Sequence, residues 1–194
     1  MEVSENNIPD SRGLNAFAGD PAFDALLDIY LPEELHARLK PEFDRMGRLV
    51  GDRLEELALA ADHNPPELKL RDRTGQRSET IQKHPSYEEL ERYAFGEFGL
   101  AAMSHRAGVF GAENKLHPMA KYALVYLFVQ AEFGLCCPLS MTDSLTRTLV
   151  KFGDPALVER YLGRLTSQDM DTLIQGAMFM TEQAAGSDVG AIET

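Results

Sequence analysis

Apolar residues in the first third of the chain recur at helical spacing. Leu35, Leu39, Phe43, Met46, Val50, Leu54 and Leu57 step by three and four residues with Arg and Glu opposite, which predicts a long amphipathic helix. Pro41 falls inside it and predicts a kink or the start of a second segment. Upstream, residues 1–20 are polar and carry Gly and Pro without any period, the pattern of a loosely held arm. Downstream, the period breaks over 64–84, where Leu68 and Leu70 alternate with charged residues ahead of Thr74-Gly75. That alternation predicts a small excursion or hairpin between two helical blocks.

In the second block Ser86 and Glu89 stand in capping-box spacing, and Leu90, Tyr93, Ala94, Phe98, Ala101 and Ala102 line one face. Glu91 then falls on the wet face, where Glu91→Lys is expected to be nearly silent. The third block, 117–135, is apolar nearly all round and predicts a helix in the middle of a bundle, with Leu127 in its core. His84 and His117 each precede a Pro at a helix start and read as caps. Pro138 interrupts, the helical period resumes to Gly153, and Asp154 with Pro155 at the first turn opens another helix. After Asp171 comes "LIQGAMFMTE", a mainly apolar run too short for a helix and bounded by turn residues, which predicts a first strand. The expected architecture is mainly α. A domain of about five or six helices over 21–171 hands over to the start of a β region at 172–194.

Charge and composition narrow the function. The net charge of −12 is steepest before residue 100, at Glu33-Glu34, Glu55-Glu56 and Glu88-Glu89, so a nucleic acid would be repelled by this segment. An apolar content of 44% over 194 residues supports one domain with a real core. The longest apolar run, "YALVYLFVQA", is far short of a membrane span, and the N-terminus lacks the basic start and apolar core of a signal. Cys136 and Cys137 are adjacent, which rules out spaced cross-links, and no histidine stands at ligand spacing. They read as small buried apolar side chains in a reducing cytoplasm.

The order of these parts, closing on Thr181-Glu182-x-x-x-Gly186-Ser187-Asp188, resembles the acyl-CoA dehydrogenases. These are flavoproteins with an N-terminal helical domain, a middle β domain and a C-terminal helical bundle. "NPPELKLRDRTGQRSETIQKHPSY", "CPLSMT" and "MFMTEQAAGSDV", in that order, are most similar to the adaptive-response AidB branch. The chain departs from the commoner family pattern in carrying Ala184-Ala185 where a Gly usually precedes the second small residue.

The resemblance implies FAD as cofactor, held by Met178, Phe179, Met180, Thr181, Gly186 and Ser187. Backbone groups and the Thr181 hydroxyl are implied to lie near the isoalloxazine ring, and Ser187 near the cofactor's phosphates or the acyl-CoA. An acyl-CoA substrate is implied, with Ser140, Met141 and Thr142 at a helix corner approaching the acyl and flavin pocket. The residue types suit the assignment, because a hydroxyl tunes an electron-accepting ring and a glycine lets backbone N–H groups approach an anion. Phe128 and Phe133 read as packing residues, with an acyl-channel lining as the alternative. The implied reaction takes a proton from the α-carbon with a carboxylate base while a hydride leaves the β-carbon for the flavin. That base, a Glu, is implied to come from the C-terminal bundle. The expectation is therefore an N-terminal portion, inactive by itself, of an enzyme that assembles as a homo-oligomer. The alternative is a non-catalytic flavoprotein or assembly module of the adaptive-response DNA-protection type.

Overall fold

The long amphipathic stripe folds as two helices, and the break comes at Gly51 rather than Pro41. In the computed structural model, which describes residues 10–193, α1 (Pro21–Tyr30) precedes α2 (Glu33–Val50) and α3 (Arg53–Asp62), with Pro41 inside α2. Residues 13–17 cross the end of α2. Gly13 N–H donates to Gly51 O (2.6 Å) and Ala16 N–H to Gly47 O (3.0 Å). A Cβ at Gly51 would stand 1.8 Å from Leu14 O, and one at Gly47 2.1 Å from Asn15 Oδ1, so only glycine admits the crossing. The arm expected over 1–20 is thus corrected for residues 10–20, and its first nine residues lie outside the described residues. Phe17 is buried against Phe43, and Asn15 Nδ2 donates to Asp44 Oδ1 at 2.7 Å. One aromatic anchor with a few backbone hydrogen bonds holds a segment that has no hydrophobic period.

The excursion is a hairpin, β1 (Glu67–Arg71) antiparallel to β2 (Arg77–Gln82), with Leu68 opposite Ile81 and every strand residue exposed. Its turn is closed by Asp72, which accepts from the N–H groups of Thr74 (2.8 Å) and Gln76 (3.0 Å). α4 (Pro85–Glu91) begins at His84, whose Nδ1 accepts from Ser86 N–H at 3.2 Å, so the cap falls two residues ahead of the capping-box position. The chain then widens into a π-helical turn, Arg92–Glu97, with Phe98 N–H bonded to Tyr93 O at 2.9 Å. The wider turn buries Phe95 and Phe98 together. Gly99 at φ +55° ends it, so Ala101 and Ala102 are buried in turns rather than along a helix face.

α5 (Pro118–Phe128) is capped by His117 and buries Leu124, Leu127 and Phe128 at the centre of the core. It is not apolar all round in space, since Tyr122 and Tyr126 are exposed. α6 (Cys136–Phe152) and α7 (Pro155–Leu165, capped by Asp154) complete seven α-helices among the described residues, more than expected because α1 and the Gly51 break add to the count. Cys136 is half-buried and Cys137 exposed, which corrects the buried reading: they open α6 before it reaches the core. The run from Leu173 to Met180 has neither helix nor ladder partner among the described residues, because strand pairing needs a second backbone beside it. No helix among the described residues is long and apolar enough to cross a membrane.

Glu91 overturns its wet-face expectation. It is 5% exposed, both carboxylate oxygens accept from Lys83 Nζ (2.7 Å each), and Gln175 Nε2 donates to Oε1 at 2.8 Å. Glu91→Lys would set two cations together in a buried site, at a cost of about 3 kcal/mol. Leu127→Asp, an unpaired carboxylate in the core, is expected to unfold a domain whose whole stability is roughly 5–15 kcal/mol. Thermal melts followed by circular dichroism should rank Leu127→Asp below Glu91→Lys, and both well below the parent. A silent Glu91→Lys would contradict the packing described.

Candidate functional site

The C-terminal run is rooted between two helices at two consecutive residues. Thr142 of α6 is buried, its Oγ1 donates to Pro138 O at 2.7 Å, and the same oxygen accepts from Gly176 N–H at 2.9 Å. A Cβ at Gly176 would stand 2.7 Å from Met141 O and 3.0 Å from Thr142 Cα, so the backbone passes α6 only as glycine. On the other side Gln175 reaches Glu91 of α4. The corner expected at Thr142 is the second turn of α6, where Thr142 is buried, and sequence reasoning missed Gly176 and Glu91, although a glycine inside an apolar run is the signal for a close backbone approach.

Beyond this root the side chains are released. Met178, Phe179, Met180 and Thr181 are exposed, Phe179 by 95%, and the Thr181 hydroxyl has no partner among the described residues. Glu182 and Ala185 exchange backbone hydrogen bonds (2.8 and 3.2 Å) and close a turn over a buried Ala185. Glu182 Oε2 accepts from Glu193 N–H at 2.9 Å, which ties the carboxylate to the turn. Gly186 and Ser187 are exposed, and a Cβ at Gly186 would meet nothing nearer than Thr181 Cγ2 at 3.9 Å, so the backbone there is open to approach. Met141 and Thr142 thus lie at the root of the run. Ser140 instead borders a pocket of ≈ 220 Å³ with Leu100, Tyr122 and Val125. Phe128 is fully buried, and Phe133 is exposed on a separate groove beside α3, so neither sits with the run.

A charged cluster lies next to Ser140 and Thr142. Asp143 receives His105 Nε2 on Oδ1 (2.7 Å) and Lys121 Nζ on Oδ2 (2.8 Å), with Arg147 at 3.6 Å. A lysine in an otherwise apolar helix was the signal in the sequence, because such a charge is buried only with a partner. Burial pushes the Asp143 carboxyl up, but the hydrogen bonds from His105 and Lys121 and the Lys121 charge outweigh it and hold the pKa down at about 2. Among the described residues no three His, Cys, Asp or Glu gather as a metal site.

Because the folded-state value of about 2 lies below the ordinary 3.8, Asp143 stabilises the fold above pH 3.8 and loses that contribution as pH falls through about 2. Its contribution is on the order of 2 kcal/mol. Asp143→Asn should lower stability at neutral pH and flatten this acid limb in urea titrations; an unchanged limb would remove Asp143 as its source. Gly176→Ala should free the run, seen as lost protection of the residue-176 amide in hydrogen exchange while the amides of α5 keep theirs.

Comparison with known proteins fits this arrangement. The family described as adaptive response protein AidB N-terminal domain matches residues 6–172. The chain is 26% identical over 178 residues to "Acyl-CoA dehydrogenase family member 11" of Caenorhabditis elegans, covering 90% of this chain and 28% of that protein. It is 30% identical over 145 residues to "Putative acyl-CoA dehydrogenase AidB" of Escherichia coli K12, covering 69% of this chain and 25% of that protein. The chain therefore spans about a quarter of the length of these relatives. A solved structure described as "Bd2924 apo-form" superposes with a TM-score of 0.79 at 26% identity, over 94% of this chain and 36% of that one. With the family match spanning the helical part and the solved fold spanning nearly all of it, the chain belongs to the AidB N-terminal domain family, among the acyl-CoA dehydrogenase homologues.

Proposed function

We propose that the chain supplies the N-terminal part of an FAD-dependent acyl-CoA dehydrogenase, with Met178 to Ser187 as one edge of the flavin site. The observation that carries this reading is the root at Gln175 and Gly176, which fixes the run against α4 and α6 and leaves Met178, Phe179 and Met180 exposed beyond it. These residues fit a flavin: an exposed apolar strip offers a face for an aromatic ring, the Thr181 hydroxyl is an available donor, and the backbone at Gly186 is open to an anionic group. FAD would supply the hydride acceptor. The work of this chain is to hold that acceptor, keep water from one side of it, and border the acyl-CoA with Met141 and Ser187, while Thr142 supports them from beneath. Glu182 is not the base in this reading, because its carboxylate is tied to the Glu193 N–H. A homo-oligomeric, cytoplasmic enzyme is the corresponding whole protein, and a DNA-protection module is not favoured, since both named relatives carry dehydrogenase names.

Two measurements test it. Expressed together with the further domains its relatives carry, Thr181→Val should weaken FAD binding roughly 5- to 100-fold, the equivalent of one unpaired polar group at about 1–3 kcal/mol. Ser140→Ala should leave flavin affinity and the visible spectrum unchanged. The 194 residues alone should neither retain FAD through gel filtration nor reduce an artificial acceptor with an acyl-CoA. Steady turnover by the 194-residue chain would overturn the proposal.

A further inference from the structure

One polar pocket has no part in the flavin reading. It measures ≈ 370 Å³ and lies between α2 and the loop that leads into α5. Leu35, Ala112 and Leu116 supply its apolar lining, while Arg38, Asn114, Lys115 and His117 bring hydrogen-bond donors. Arg38 and Lys115 form no ion pair among the described residues, in a chain whose net charge is −12. Arg38 Nη2 donates to Phe110 O at 3.3 Å, and the other guanidinium donors have no acceptor among the described residues. His117 Nδ1 accepts from Met119 N–H at 3.3 Å, which leaves the ring proton on Nε2 as a further donor.

The loop itself leaves backbone donors open. Gly108 (φ +98°), Phe110 (φ +50°) and Gly111 (φ +68°) are left-handed, and the N–H groups of Gly108, Gly111 and Ala112 bond within the turn. Those of Glu113, Asn114 and Lys115 then meet no acceptor among the described residues. Phe110 is strained, since a side chain disfavours this region, and such strain persists only where the surroundings impose it. Its ring stands edge-on to Phe98 at 6.1 Å and its carbonyl is held by Arg38. The start of α5 contributes little, because the Met119 and Ala120 N–H groups are already capped by His117.

We propose that this pocket binds the phosphate end of a small phosphomonoester. Three successive N–H groups beside two unpaired cations form a cradle for an anion, with the planar Arg38 fork suited to two oxygens and Lys115 to the net charge. The apolar lining and the remaining volume take the organic group. Glu113 also lines the pocket, and its carboxylate opposes a dianion, so it lowers the affinity that the two cations would give alone.

Isothermal titration calorimetry of the 194-residue chain at fixed ionic strength, with glycerol 3-phosphate and with inorganic phosphate, tests the assignment. Glycerol 3-phosphate should bind at a single site with a Kd below about 1 mM, and inorganic phosphate no more tightly. Lys115→Glu and Arg38→Gln should each weaken binding about tenfold or more, and Glu113→Gln should tighten it about two- to fivefold. Lys151→Glu makes the same change in net charge as Lys115→Glu, outside the pocket, and should leave binding unaltered. All four positions are exposed, so circular-dichroism melts should match the parent and separate lost binding from lost folding. Lys115→Glu is the decisive variant, because Lys115 has no bond in the fold to lose. No binding up to about 10 mM overturns the proposal. So does a preference for inorganic phosphate, which would leave the apolar lining without a role, and so does an equal loss in Lys151→Glu, the mark of diffuse attraction. A duplex oligonucleotide that binds more tightly than the ester and is lost in the same variants would also overturn it, by assigning the cradle to a nucleic-acid backbone.

Discussion

A single shared oxygen decides where the C-terminal run of the chain leaves the helices. Thr142 Oγ1 gives its proton back along α6 to Pro138 O and takes the N–H of Gly176, so one buried hydroxyl satisfies two backbone groups. Left unmet, the buried Gly176 N–H would cost about 1–3 kcal/mol. Successive residues point about 100° apart around a helix, so Thr142 can face the run while Asp143 faces α5 and the turn at His105. The charge cluster on Asp143 fixes the rotation of α6, and that rotation aims Thr142. Thr146, one turn on, is buried as well and bonds to Thr142 O at 2.7 Å, extending the same polar seam.

Buried polar ties recur elsewhere in the fold. Glu91 joins the hairpin exit, through Lys83, to the run, through Gln175. His36 joins α1 to α2 with its ring nitrogens 3.0 Å from Asp24 Oδ1 and 2.6 Å from Asp28 Oδ1. α1 needs such a tie because Leu27 is its one buried residue within the helix. Ion pairs of this kind add little net stability compared with apolar side chains of the same volume, since desolvation offsets most of the attraction. Their effect here is geometric: Glu91 ties two separate segments to α4, and His36 ties α1 to α2, so each favours one docking arrangement.

This explains which parts were legible in the sequence. Stripes such as Leu39, Phe43 and Met46 announced their helices because burial by a neighbouring element follows the helical period whatever that element is. The hairpin, the histidine caps at His84 and His117 and the Asp154 cap are local, and local rules found them. Glu91 was misplaced because period assigns a polar residue to water, and its partners, Lys83 and Gln175, are fixed only once the chain has folded. The corner at Ser140 to Thr142 and the run at Met178 to Ser187 came through resemblance. The reason Met141 and Thr142 meet the root of the run, a missing side chain at Gly176, is a fact of close approach that no one-dimensional pattern encodes.

Rigidity and exposure alternate along the last stretch, and the alternation bears on the cofactor-holding role proposed for it. Gln175 and Gly176 are held from two sides, Phe179 three residues on is almost wholly exposed, and Ala185 is buried again under its turn. An apolar side chain on a free tail would have to be ordered by whatever covers it, at about 0.5–1.5 kcal/mol for each immobilised side chain and more for the backbone. Between two anchors the backbone share of that cost is already met in folding. The core therefore does more than stabilise the helices: by fixing α4 and α6 against each other it sets the spacing of Glu91 and Thr142, and through them the direction in which Met178, Phe179 and Met180 leave the surface.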